Sequence, residues 1–324
     1  MPRKVKKQPL PVHAPQLGDL APSIYMLDRF SASDLDVWKR RSHEFDEVHR
    51  ELYHGLEPER QRRRDEILDA LNSKPGAPVS FDGWVRMVQF RYANMPLSAA
   101  GSVRGVGGRF NIGSDCDDSG VAKVFPGLYI GDSHETAFRE CYQIGSDELA
   151  ATGLSAADLS LRTSDASVRL RGHVEKIFDL RDRSNLEPIA KILKKFKVTP
   201  QLERLAKNLK LGKADGLLIR TAARLQINMQ EVNWRAWPQQ FGLPAPSQRF
   251  GEFLRLAGYE GVIYRSTKLA SGSCITIFPS NIDSDRTFVE LQDPAHDGVK
   301  VTRLDIDSAD GLCGWEHVRP HRRC

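Results

Sequence analysis

Between residues 33 and 72 the apolar side chains recur at close to 3.6-residue spacing: Leu35, Trp38, Phe45, Val48 and Leu52. That spacing predicts an amphipathic helix with Ser33 at its N-cap and Gly55 at its end. A second helix is predicted from Glu57-Pro58, with Ile67, Leu68 and Leu71 as its short apolar face. Pro75-Gly76 marks a boundary, and the pattern changes after it. Trp84–Phe90 and Phe125–Ile130 read as strands, with a glycine-rich loop, Gly101 to Gly113, between them. Ser133–Ile144 reads as a helix, capped by Asp132 or Ser133, with Ala137, Phe138 and Cys141 on one face. Further on, Leu186–Phe196 and Leu202–Leu211 have the pattern of lysine-rich amphipathic helices, and Leu217–Met229 reads as another. Ser247–Leu256 is a predicted helix closed by Gly258, followed by strands Gly261–Tyr264 and Cys274–Phe278 across a Gly/Ser turn. Residues 1–30, with Pro9, Pro11, Pro15 and Pro22, read as an extended arm.

This pattern predicts a mixed α/β (α+β) chain in three parts. Residues 1–80 form an arm and helical extension. Residues 81–284 form the main domain, with a helical insertion around 150–245. Residues 285–324 form a tail.

Composition narrows the choice of function. Of 324 residues, 40% are apolar and 27% charged, the balance of a globular protein with a sizeable core. Apolar runs fall far short of the roughly 20 residues a membrane helix needs, so no spanning segment is expected. The basic N-terminus has no apolar stretch behind it, which argues against a secretory signal. The five cysteines, Cys116, Cys141, Cys274, Cys313 and Cys324, are odd in number and far apart. They suit a reducing, cytoplasmic setting. The net charge of +5 fits an anion-binding pocket and does not call for nucleic acid. The run Arg60–Arg64 is flanked by Glu57, Glu59, Asp65 and Glu66, so it reads as a solvated helix face.

Candidate chemistry lies in three separated places. The first is Arg91-Tyr92, with Gly107-Gly108-Arg109-Phe110-Asn111 soon after. Paired glycines let backbone N–H groups approach an anion, and arginine adds a planar charged fork. The second is Leu128–Glu140, where a strand enters a helix. Tyr129 can present a ring to a flat heterocycle, and Glu140 falls near the buried side of the helix. Asp132, His134 and Glu135 read as a helix N-terminus, so no metal is assigned there. The third is Gly258–Ser266. Ser266 lacks a Gly-x-Ser-x-Gly elbow, which argues against a serine-hydrolase nucleophile. In the tail, Cys313, His317, His321 and Cys324 have ligand character, but three arginines crowd them, and a basic tail is preferred to a zinc site.

Taken in order, Arg91, Gly-Gly-Arg-Phe-Asn, Leu-Tyr…Ala…Glu140 and Val-Ile-Tyr-Arg-Ser266 resemble the RES domain family. The resemblance covers roughly residues 82–145 and 246–282. It implies an ADP-ribosyltransferase-like core and a bacterial toxin of the RES–Xre toxin–antitoxin type. It also implies NAD as substrate, cleaved at the nicotinamide–ribose bond by hydrolysis or phosphorolysis, and a cognate antitoxin or immunity protein as partner. On that resemblance Glu140, Arg91 and Ser266 are the catalytic set. Arg91, Tyr92, Gly108, Arg109, Asn111, Tyr129 and Ser266 contact the dinucleotide. Phe110 stands where the family usually has tryptophan, and Ile112–Val124 reads as an inserted loop.

The chemistry of the residues agrees with this reading. Nicotinamide leaves as a neutral base and positive charge builds on the ribose, which a carboxylate stabilises. No Gly-x-Gly-x-x-Gly follows a strand, so a redox use of NAD is not expected. Two alternatives stay open. One is transfer of ADP-ribose to a protein or nucleic acid. The other is a non-catalytic nucleic-acid-binding or adaptor protein. Delivery between cells and self-association are also open from the residues alone.

Overall fold

The computed structural model describes residues 32–116, 120–144 and 164–314. The chain divides into two units, Met1–Glu47 and Val48–Cys324. The first is described only through the opening of helix α1 (Ala32–Arg50). The arm predicted over residues 1–30 and the tail residues His317, His321 and Cys324 lie outside the described residues.

In the second unit a π-turn over Glu51–Gly55 leads into α2 (Glu57–Arg62) and α3 (Arg64–Asn72). The predicted helix end at Gly55 and the restart at Glu57-Pro58 are both seen. Strand β1 (Ala77–Gln89) is longer than predicted. A short hairpin, β2 (Gly107–Gly108) and β3 (Asn111–Ile112), occupies the glycine-rich loop. Strand β4 (Leu128–Gly131) runs into α4 (His134–Tyr142). Then come β5 (Asp165–Asp179), α5 (Glu187–Leu193), α6 (Pro200–Leu209), α7 (Ala222–Met229), α8 (Ala236–Phe241) and α9 (Pro246–Leu256). Strands β6 (Gly261–Arg265), β7 (Ser273–Ile277), β8 (Phe288–Leu291) and β9 (Arg303–Leu304), with the short helix α10 (Ala309–Cys313), complete it.

The sheet runs β1-β4-β7-β6-β5-β8-β9, and β1 also pairs with β5. The path β1-β4-β7-β6-β5 therefore closes on itself, with β8 and β9 added beside β5. All pairings are antiparallel except β5 with β6. Along β1 the register to β5 slips by one residue between Phe81 and Trp84, a bulge at Gly83, whose φ is +70°. Two-residue alternation divides the sheet's side chains between two cores. Leu170, Val174, Ile177, Ile263, Ile275 and Ile277 enter one, under α10. Phe178, Val262, Tyr264 and Cys274 enter the other, where α3, α5, α7 and α9 cover them.

A mixed α+β architecture is what the sequence predicted, with two corrections to its parts. The sequence pattern predicts a helical insertion around residues 150–245. Helices do occupy 187–241, but β5 is a 15-residue strand within that stretch and pairs with β1, β6 and β8. Its sequence, DASVRLRGHVEKIFD, mixes charged residues with apolar ones because its first half shows one face to solvent. The sequence pattern predicts a tail over residues 285–324, yet β8 and β9 join the sheet there. The arginine run is in part the expected wet face, with Gln61, Arg62 and Arg64 exposed. Arg60 and Arg63 keep side chains only 15% and 16% exposed, tied to Glu57 and Glu59 respectively.

Candidate active site

The hairpin β2–β3, the end of β4 and the helix α4 meet at one cavity of about 370 Å³, also walled by Arg86, Trp234 and Arg235. That volume lies in the range of roughly 300–1,000 Å³ typical of small-molecule pockets. Of the residues picked from sequence, Gly108, Arg109, Tyr129 and Glu140 all line it. Asn111 lies directly behind: its Oδ1 accepts from Gly108 N–H at 2.9 Å and from the Tyr129 hydroxyl at 2.8 Å. A Cβ at Gly108 would overlap that hydroxyl, so only glycine lets the hairpin close on Tyr129.

Glu140 owes its position to α4. Ser133 is the cap, its Oγ accepting from Thr136 N–H at 3.1 Å. Asp132 instead pins the start of α4 to β7, its Oδ2 accepting from Ser273 N–H at 2.7 Å. From Ala137, buried against the sheet, the i to i+3 step brings Glu140 to the cavity. There its Oε1 accepts from the Ser266 hydroxyl at 2.7 Å, from Thr267 N–H at 2.8 Å and, more weakly, from the Thr267 hydroxyl at 3.5 Å. Ser266 is itself fixed, because its Oγ accepts from Lys268 and Leu269 N–H, each at 3.1 Å. The serine at the end of β6 therefore holds the carboxylate. Oε2 of Glu140 has no hydrogen bond among the described residues.

The remaining charge on the cavity wall is positive. Arg109 is 3% exposed; its Nη1 donates to Glu231 O at 2.7 Å and its Nη2 to Thr267 Oγ1 at 2.8 Å. Arg86, on β1, donates to the carbonyls of Pro96, Ser98 and Tyr129 at 2.8, 2.8 and 3.3 Å. Burial lowers its pKa to about 10. Arg235 projects from the segment before α8, and burial, then the charge of Arg109, lowers its pKa also. The Tyr129 hydroxyl, donating to Asn111 and accepting from Phe110 N–H at 3.0 Å, is pushed well above its ordinary pKa by burial. It is a locked wall of the pocket, protonated near neutrality.

Two picks lie elsewhere. Arg91 is exposed in a 3₁₀ turn after β1, donating to Gln89 Oε1 at 2.9 Å and lying 4.8 Å over the Tyr92 ring. Neither Arg91 nor Tyr92 lines the cavity. The strand ends at Gln89, so residues 91 and 92 follow the turn outward, and the arginine of this region that reaches the cavity is Arg86. Sequence reasoning missed Arg86, Trp234, Arg235 and Gln248. Gln248 is fully buried in α9, where its Nε2 donates to the carbonyls of Val106, Gly108 and Asn111 at 2.8, 3.0 and 2.9 Å. It clamps the hairpin from behind. An amide in the first turn of a helix carries no local signal of that long-range role.

Residues 193–296 match the model of the RES domain. The resemblance to the RES family holds. The RES match takes in Ser266 and Arg235 but begins beyond Arg109, Tyr129 and Glu140, inside the stretch expected as an insertion. No curated protein matches the chain. Among solved structures, a chain of the M. tuberculosis MbcT–MbcA toxin–antitoxin complex aligns at 14% identity with a TM-score of 0.38. The alignment covers 76% of this chain and 96% of that one.

Proposed function

We propose that this chain is an NAD-consuming enzyme of the toxin type that cleaves the nicotinamide–ribose bond. The observation that carries the reading is Glu140. One carboxylate oxygen is held by three donors, the other is without a hydrogen bond among the described residues, and arginines supply the other charges of the cavity wall. Cleavage of this bond suits such a site. The leaving group departs neutral, the ribose gains positive charge, and a carboxylate held in advance stabilises that charge without reorganising. The positive charge of that wall favours the pyrophosphate of a dinucleotide over a neutral ligand. Ser266 acts as a positioning residue for Glu140, since its proton is directed to Oε1 and its lone pairs to two backbone N–H groups. The RES match supports an NAD-related toxin, and a cognate antitoxin or immunity protein belongs to the same proposal.

Purified protein incubated with NAD is expected to release nicotinamide, and Glu140→Ala is expected to lose that activity. Equal turnover by the variant would remove Glu140 from the mechanism. Running the reaction with and without inorganic phosphate separates hydrolysis from phosphorolysis, through free ADP-ribose or its phosphate ester as product. Label from NAD appearing on a macromolecule would redirect the reading to ADP-ribosyl transfer.

A further inference from the structure

Three of the arginines lining the cavity differ in what their N–H groups already do. Arg86 donates to three backbone carbonyls, and both terminal nitrogens of Arg109 are bonded to Glu231 and Thr267. Those two guanidiniums are building material: they tie β1 to β4, and the hairpin to the 231 and 267 segments. Arg235 is different. Among the described residues its guanidinium makes no hydrogen bond and no ion pair, and its Nη1 is buried without a partner. Its guanidinium carbon lies 4.6 Å from the centre of the Trp234 ring, and that of Arg109 lies 5.8 Å from the same ring. The indole orients Arg235, and two like charges share it.

We infer that Arg235 is a residue of this cavity that pairs with ligand phosphate, and that Arg91, and the hydrogen-bonded Arg86 and Arg109, do not. A half-buried guanidinium with a buried nitrogen that lacks an acceptor is unfavourable until an anion arrives. The neighbouring charge of Arg109 sharpens this, because an anion between or beside the two relieves their repulsion. The segment that carries Arg235 is well anchored. Glu231 O accepts from Arg109, and the Trp237 ring, two residues beyond, packs edge-on at 4.8 Å against His49. The cation is therefore held in place before binding, which favours a rigid, bidentate contact with a phosphate group. The identity of the ligand as a pyrophosphate-bearing dinucleotide rests on the function proposed above; the anion site itself does not.

The test measures binding of two probes, inorganic pyrophosphate and ADP-ribose, to the full chain by titration calorimetry, together with NAD turnover. Arg235→Gln should weaken both probes by about 10- to 150-fold, the worth of a charge-assisted hydrogen bond. It should also raise KM for NAD more than it lowers kcat. Arg235→Lys keeps the charge and the stem on Trp234 but loses the fork, and should fall between wild type and Arg235→Gln. If Arg235→Gln does not fold, the lysine variant carries the comparison alone. Wild-type affinity for the probes in a folded variant overturns the assignment, as does a wild-type protein that binds neither probe. If the probes bind through Arg235 while NAD is left intact, the anion site stands and the NAD reading falls. If NAD is consumed equally well by the folded variants, the NAD reading stands and the Arg235 assignment falls.

Discussion

Replacing Ser266 by alanine separates a positioning serine from a reacting one. The residue is 8% exposed and its hydroxyl serves three bonds: it donates to Glu140 Oε1 at 2.7 Å and accepts from Lys268 and Leu269 N–H at 3.1 Å each. A hydrogen bond to a charged group contributes about 1.5–3 kcal/mol, and each buried N–H left without an acceptor costs about 1–3 kcal/mol unless the loop relaxes. With partial relaxation the expected loss of stability is about 2–4 kcal/mol, or a fall in Tm of roughly 5–15 °C. Catalysis should suffer less than in Glu140→Ala, because Thr267 N–H still holds the same carboxylate oxygen at 2.8 Å. A carboxylate that drifts by a fraction of an ångström to one ångström costs about 10- to 100-fold in kcat, with KM for NAD near its wild-type value. The assays are thermal unfolding and initial-rate kinetics of nicotinamide release. Complete loss of turnover in a folded Ser266→Ala protein would refute the reasoning and make the serine a participant in the chemistry. An unchanged kcat would refute it from the other side, by showing that Glu140 needs no help from residue 266.

Arg91→Ala should leave both Tm and turnover within error of wild type, since Arg91 is exposed and its side chain bonds to Gln89 at the surface; a tenfold loss of activity would restore it to the site. Gln248→Leu removes a donor from the carbonyls of Val106, Gly108 and Asn111, so stability should fall by about 2–4 kcal/mol, measurable by denaturant melts; a neutral result would mean the hairpin holds itself. Gly251→Ala places a methyl on the Phe110 carbonyl where α9 crosses the hairpin, and about 1–3 kcal/mol of destabilisation is expected from the forced shift. The tyrosines give a pH dependence. Burial raises the pKa of Tyr259 to about 12 and also raises those of Tyr129 and Tyr264. A raised acid contributes stability that is complete below its unfolded value near 10 and lost as pH climbs through the folded value. Tm should therefore decline from about pH 10 upward, with tyrosinate absorbance appearing together with unfolding; free titration of all tyrosines in the native state at pH 10 would contradict it.

Much of this protein is written locally. The 3.6-residue spacing in α6 and α9, the Ser133 cap, the stop before Gly258 and the apolar runs of β6 and β7 are each decided by neighbours within a few residues, so periodicity and turn chemistry reveal them. Glu140 was legible for the same reason, since a capped helix fixes which of its positions face the sheet. What the sequence could not disclose depends on contacts between distant segments. Strand β5 carries six charged residues and a histidine among its 15, and only its pairing with β1, β6 and β8 makes it a strand. Arg86 and Arg91 are the same residue type five positions apart. One reaches the cavity because the strand passes it there, and the other misses because the strand has already ended. The same holds for Arg235, which has no motif around it: its meaning comes from the Arg109 and Trp234 side chains that folding places beside it. Local interactions determine elements within a few residues, whereas a binding site is a coincidence of side chains in space, and only the closed tertiary structure decides which of them meet.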